Sequence, residues 1–197
     1  MAERCEWCLG AEDYIDYHDN EWGRPMTDDR MMFEHLVLET FQAGLNWLMV
    51  LRKRDAFREV FYNMDIDRMA RMGEDDVERL AQDPRIIRNR MKIRAAIHNA
   101  NMAIKMRDEE GLGLSHYFWS WVDYQPIDHA YDGNGCLFAH TPLSDQISKD
   151  LKKRGFKFVG TTSIYAHLQA VGIVNDHIVT CPSYREVQNL GAQLEKP

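Results

Sequence analysis

Five side chains in this sequence are suited to hold a soft metal ion: Cys5, Cys8, His18, His177 and Cys181. Zinc in proteins prefers four nitrogen or sulfur ligands in a tetrahedron. His177 and Cys181 are separated by three residues, a spacing that lets a helix end and the following turn aim both at one ion. Cys5-x2-Cys8 is the more familiar half-site, whereas Cys5 with His18 demands a twelve-residue excursion between ligands. Spacing alone leaves that choice open. Four protein ligands would leave no position for water, so such a zinc ion would staple the chain ends together without taking part in a reaction.

Positive charge is the second chemical feature. The formal charge of −7 argues against a protein that coats nucleic acid, because phosphate attraction needs positive surface. Its distribution matters more. Arg85, Arg88, Arg90, Lys92 and Arg94 occur with no acid among them, and smaller clusters lie at Arg52-Lys53-Arg54 and at Lys152-Lys153-Arg154 with Lys157. A solvated helix face is the ordinary explanation of any one cluster.

These groups need a scaffold. A chain of 197 residues with 45% hydrophobic content can bury one good core, or two small lobes sharing a cleft, and is expected to form a single domain over 1–197. Its first residues are charged and carry no signal-peptide pattern, and the longest apolar patch, Leu45 to Leu51, is far too short for a bilayer. A cytoplasmic protein without a membrane role is expected, with cysteines as free thiols or metal ligands.

Met32, Phe33, Leu36 and Val37 follow helical spacing behind a capping Thr27 or Asp28. A second helix is expected from about Leu45 to Tyr62, after a junction in which Gly44 takes positive φ. Asp83-Pro84 has the order of an N-cap and first helical residue, with helix continuing from Ile93 to Met106. Loops are expected around Asp108 to Gly113 and at Asp132-Gly133-Asn134-Gly135. Ser144 should cap a helix ending near Gly155, and a final long helix should span Thr162 to Val171. No alternating run is long enough for a sizeable sheet, so the fold is expected to be all-α.

Three segments carry a resemblance: Cys5 with Tyr17-His18-Asp19-Asn20-Glu21-Trp22-Gly23; Leu38-Glu39-Thr40-Phe41-Gln42-Ala43-Gly44-Leu45-Asn46-Trp47; and Lys152 through Cys181. Together they closely resemble the 3-methyladenine DNA glycosylase I family over nearly the whole chain, most weakly between about Gly111 and Pro142. The resemblance implies a helix-hairpin-helix glycosylase fold, two helical lobes around a base-binding cleft, with the hairpin near residues 80–97. It implies one structural Zn2+ on Cys5, His18, His177 and Cys181, leaving Cys8 unliganded. The hairpin should lie within Ile86 to Lys92, where arginine and lysine side chains stand in place of the usual glycines.

The implied activity is extrusion of N3-alkylated adenine from double-stranded DNA and hydrolysis of its glycosidic bond, by a monomer. Methylation at N3 makes the base a cationic leaving group, so little acid catalysis is needed and recognition becomes the harder task. Tyr17, Trp22 and Trp47 are the expected aromatic walls. Glu39, as an ionised carboxylate, is expected to accept hydrogen bonds from the base and stabilise its charge. Leu45 beside Gly44 should fill the gap left in the stack, and Arg88, Arg90 and Lys92 should contact DNA. Thr40 and Asn46 depart from the glycine and serine common in the family. Three competing readings are a glycosylase that also nicks the strand with Lys92 as Schiff-base nucleophile, a zinc-stabilised lesion-binding module without activity, and a zinc hydrolase.

Overall fold

A helix that is buried all round must lie at the centre of its protein. Every residue from Met32 to Phe41 is buried, and the rest of the chain is arranged around that stretch. The computed structural model describes residues 3–133 and 138–195. After a 3-10 turn at Glu6–Cys8 come α1 (Glu12–Asn20), α2 (Asp29–Gln42), α3 (Trp47–Leu51), α4 (Arg54–Val60), α5 (Ile66–Met69), α6 (Glu74–Leu80), α7 (Arg90–Glu110) and α8 (Leu114–Ser120). They are followed by β1 (Ile127–Asp128), α9 (Pro142–Lys153), α10 (Thr161–Ala170), β2 (Val174–Asn175) and α11 (Pro182–Gly191). Helices α3, α7, α8 and α10 all pack on α2.

The protein is mostly helical, with one departure from the all-α expectation. β1 and β2 form a minimal parallel pair, Ile127 beside Val174 and Asp128 beside Asn175. It needs no alternating run, since two residues per strand suffice to tie the chain after α8 to the chain after α10.

Asp28 caps α2 as expected, its side chain accepting from the Met31 N–H at 2.8 Å. The expected helix from Leu45 to Tyr62 is instead two helices. Asn46 caps α3, and the break at Arg52-Lys53 turns Arg54 inward. Asp83-Pro84 does not start a helix. Asp83 accepts from the backbone N–H of Arg85, which fixes a turn, and α7 begins only at Arg90 under an Asn89 cap. Thr141 rather than Ser144 caps α9, with Ser144 returning the bond from the third helical position. The expected loop at Asp132 to Gly135 lies partly outside the described residues, at Asn134 and Gly135. α11, with Pro182 at its first turn, follows the helix expected to be last.

Arg54 explains the break after α3. It is 6% exposed, binds both carboxylate oxygens of Glu21 at 2.6 Å and gives its Nε–H to Glu34 at 2.5 Å. Arg58 joins it on Glu34 at 2.9 Å, and the His35 ring meets Glu21 at 2.7 Å. The turn after α1 is thereby fastened to α2 and α4 by buried charges that satisfy one another. Burial pushes the Glu21 carboxyl up, but the hydrogen bonds from His35 and Arg54 outweigh it and hold the group at about 2.

Removing one partner of a buried pair costs far more than the pair contributes, because the remaining ions stay desolvated. Arg54→Met is therefore expected to lose about 3–5 kcal/mol in urea unfolding at neutral pH. Because the Glu21 value is depressed on folding, its stabilisation is present above the unfolded value of about 4.3 and lost as pH falls towards about 2. Glu21→Gln should flatten acid unfolding over that range; an unchanged acid limb would exclude Glu21 as its source.

Candidate active site and metal cluster

Beside α2 lies a cavity of about 210 Å³ lined by Trp7, Tyr14, Tyr17, Trp22, Glu39, Gln42, Trp47, Ala166 and Gln169. It is small against the roughly 300–1,000 Å³ of drug-sized sites, and suits a single heterocycle. Glu39 lies in the last full turn of α2, and Trp47 opens α3 across the Gly44 junction. Tyr14 and Tyr17 are three apart on α1 and so share a face. Ala166 and Gln169 do the same on α10. The Tyr17 and Trp47 rings lie 5.5 Å apart at 49°. Trp7 is the hub of the wall, edge-on to Trp22 at 4.9 Å and to Tyr14 at 5.0 Å.

Two polar atoms of this cavity are buried without a hydrogen-bond partner among the described residues: Glu39 Oε2 and Trp47 Nε1. Most buried polar groups are satisfied, so these two atoms leave hydrogen-bonding capacity open inside an aromatic box. Burial alone raises the Glu39 carboxyl to about 8. In the free protein burial thus favours the neutral carboxyl, against the expectation of an ionised Glu39. A cationic ring within ~4–6 Å would lower the value again and favour the carboxylate. Tyr17 is raised well above its ordinary value by burial, and then by Glu39 and Glu21, so it remains a neutral hydroxyl.

Behind this wall, Cys5, His18, His177 and Cys181 converge, their ligand atoms all within 4.8 Å of one another. His18 Nε2 and His177 Nδ1 are 3.2 Å apart, and Cys181 Sγ is 3.6 Å from the first and 3.8 Å from the second. A tetrahedron with Zn–N of about 2.0 Å and Zn–S of about 2.3 Å has edges of roughly 3.3–3.8 Å. The cluster could hold a metal ion. The second nitrogen of each ring is occupied as metal-bound imidazoles require: His18 Nδ1 meets Asp19 at 2.8 Å, and His177 Nε2 meets the Trp22 carbonyl at 3.1 Å. Cys8, the competing candidate, lies outside and gives its thiol proton to the Cys5 carbonyl at 3.0 Å.

The structure brings Tyr17, Trp22, Glu39 and Trp47 to one cavity. Gly44 takes φ of 77°, and Leu45 after it is 37% exposed beside the junction. The basic run is less uniform than its sequence. Arg88 is exposed with no carboxylate partner among the described residues, whereas Arg90 is engaged twice by Glu78 and Arg94 by Glu74. Arg85 is paired with both Asp83 and Glu59. Lys92 corrects the expectation of a DNA-facing cation. It is 6% exposed, and its ammonium donates to the carbonyls of Phe41 and Ala43.

Sequence reasoning missed Trp7, Tyr14, Gln42, Ala166 and Gln169. Helical spacing from Tyr17 pointed to Tyr14, and the place of Trp7 between two cysteines was a further signal. Gln169 is tied through Nε2 to the buried Asp176 at 2.7 Å, a contact between α10 and the strand-following loop that no local pattern displays.

The raised Glu39 value has a consequence for stability. A carboxyl whose folded value lies above its unfolded one destabilises increasingly as pH rises from about 4.3 to about 8. Glu39→Gln should therefore unfold at higher urea than the wild type at pH 8.5, by about 1–3 kcal/mol, with the difference shrinking at pH 5. A pH-independent difference would show that ionisation of Glu39 is not its origin.

Comparison with known proteins joins these observations. Residues 7–185 match a family model described as methyladenine glycosylase. The chain is 48% identical over 182 residues to DNA-3-methyladenine glycosylase 1 of Escherichia coli K12, covering 92% of this chain and 97% of the relative. A crystal structure of 3-methyladenine DNA glycosylase I superposes with a TM-score of 0.88 at 48% identity, over 91% of this chain and 98% of that one. A structure of the Staphylococcus aureus enzyme, solved for the basis of 3-methyladenine recognition, also gives 0.88, at 34% identity over 91% and 95% of the two chains. With so much of both chains aligned, and with the paired orphans in an aromatic box already in view, this chain belongs to the methyladenine glycosylase family.

Proposed function

We propose that this protein is a monofunctional DNA repair glycosylase that flips N3-alkylated adenine out of double-stranded DNA and hydrolyses its glycosidic bond, leaving an abasic site. The observation that carries the reading is the buried Glu39 carboxyl beside the unpartnered Trp47 N–H in a cavity sized for one ring. A cationic base answers both features. Its charge draws the carboxyl back to the ionised form, and it stacks favourably on electron-rich aromatic faces, worth about 0.5–2 kcal/mol for a cation–π contact. Neutral adenine brings no charge to offset the burial of a carboxylate. Discrimination then accompanies catalysis, since the positive charge on the attached ring is what weakens the bond, and the base loses that charge as it leaves with the bond's electron pair while water captures the sugar.

Tyr17, Trp22 and Trp47 act as base walls in this reading, and Glu39 stabilises the cationic ring. Leu45, on the Gly44 turn, fills the vacated stack. The turn between α6 and α7 serves as the hairpin near residues 80–97, where the unpaired Arg88 meets a phosphate; Arg90 must first exchange Glu78 for it. The whole chain acts as one unit and as a monomer. No described helix is long and apolar enough to cross a membrane.

Zinc is the ion we assign to Cys5, His18, His177 and Cys181, on the tetrahedral edge lengths and the occupied outer nitrogens. Bound there it would supply cross-linking of the two chain ends. Four protein ligands leave no position for a water, which disfavours the hydrolase reading. Lys92, gripped by two carbonyls, is a poor Schiff-base nucleophile, and with it the strand-nicking reading loses its candidate.

Incubation with methylated duplex DNA is expected to release free 3-methyladenine, resolved by chromatography, without ATP or redox cofactor. No release by folded protein under single-turnover conditions would sink the function. Trp47→Ala should cut release by about 10-fold or more while leaving unfolding nearly unchanged. Equal losses in activity and stability would make Trp47 a core residue. Elemental analysis should find about one zinc per chain, retained in Cys8→Ser and lost in Cys181→Ser; loss in Cys8→Ser would restore the Cys5-x2-Cys8 pairing.

A further inference from the structure

Two lysines are used against the ordinary habit of their type. Lys92 is the third residue of α7, buried, with its ammonium 2.8 Å from the Phe41 carbonyl and 2.6 Å from that of Ala43. Lys53, half-buried at the junction of α3 and α4, reaches the other way, to the carbonyls of Pro84 at 3.2 Å and Arg85 at 2.9 Å. Each segment thus supplies a cation to a pair of carbonyls in the other. A positive charge in the first turn of α7 is opposed by that helix's dipole, yet it is favoured at the C-terminal end of α2, where carbonyls lack helical partners. A lysine desolvated as Lys92 is persists only because two carbonyls accept from its ammonium.

What the two clasps connect is the chain before Leu45 and the turn before Arg90. Ala43 leaves the helix with ψ of 114° and Gly44 follows at φ 77°, so the peptide gripped by Lys92 is the one that launches the Leu45 turn. The opposite grip, on Pro84 and Arg85, holds the turn that carries Arg88. Neither lysine lines the cavity. We infer that Lys92 and Lys53 are positioning residues, reciprocal clasps that fix the Gly44–Leu45 turn at a set offset from the 84–90 turn. A phosphate held at the second then places Leu45 against the base stack. This deepens the proposed glycosylase reading and rests on it.

Lys92→Met keeps the unbranched stem and removes the donor. The test compares two readouts on the same variant: quenching of tryptophan fluorescence by free 3-methyladenine, and single-turnover release of that base from methylated duplex DNA. The clasp predicts free-base affinity within about twofold of wild type and release slowed at least about tenfold, since misplacing the plug impairs extrusion and not the pocket. Lys53→Met should show the same split, and it carries the test if Lys92→Met does not fold. Lys92→Arg, which keeps charge and donors, should recover part of the rate. Release at the wild-type rate, or free-base affinity lost in proportion to release, would overturn the clasp. Failure of the wild type itself to release base would instead overturn the glycosylase reading.

Discussion

Four side chains from opposite ends of the sequence meet within 4.8 Å, directly behind the aromatic wall. Cys5 is two residues from Trp7, His18 is next to Tyr17, and the His177 ring stands edge-on to Trp22 at 4.6 Å. The wall therefore backs directly onto the cluster. The same two chain ends are joined again at Gly172, whose backbone approaches Gly23 and Arg24 so closely that a Cβ would lie 2.5 Å from the Arg24 carbonyl carbon. Hydrogen bonds from Gly23 to Ala170 and from Met26 to Val171 finish the seam. Burial of Arg54 against Glu21 fastens it to α2 from the other side.

Inside that frame the molecule tolerates a cost. Glu39 lies on a helix buried all round, where a leucine would pack without penalty, and its carboxyl has neither a cation nor a donor on Oε2. The neighbouring buried acids make the contrast plain. Glu21 and Glu34 are held ionised by arginines and stabilise the fold, whereas Glu39 is held neutral by its lack of any. The difference follows the partners each carboxylate has: His35 and Arg54 for Glu21, Arg54 and Arg58 for Glu34, and burial alone for Glu39.

Much of this organisation is legible in the sequence, and its limits have physical causes. His177 and Cys181 are legible because both sit on one short turn; the choice between Cys8 and His18 is not, since it depends on how α1 folds back. Asp28 is legible as a cap because capping is local. Lys92 misleads because its run of basic neighbours looks solvated, while its partners lie about fifty residues earlier in the chain. The division of the expected Leu45–Tyr62 helix follows from the need to aim Arg54 at two distant glutamates. Asp83-Pro84 fails as a helix start because Asp83 captures the N–H of Arg85 first. Tyr14 could have been found from the helical face of Tyr17. Gln169 depends on Asp176, which no periodicity displays.

Arg88 apart, the arginines around the α6–α7 turn come already supplied with carboxylate partners, Arg85 by Asp83 and Glu59, Arg90 by Glu78, Arg94 by Glu74. Such a surface displaces few condensed counter-ions when it meets a duplex, because each internal pair must open before a phosphate can replace it. On the proposed reading, a net charge of −7 behind that surface keeps the general attraction for phosphate small. In that reading the pocket, which favours a charged base, supplies the specific part of the binding. On the proposed reading, scarcity of free positive charge is what lets a repair enzyme search a long polymer without being detained by the intact part of it.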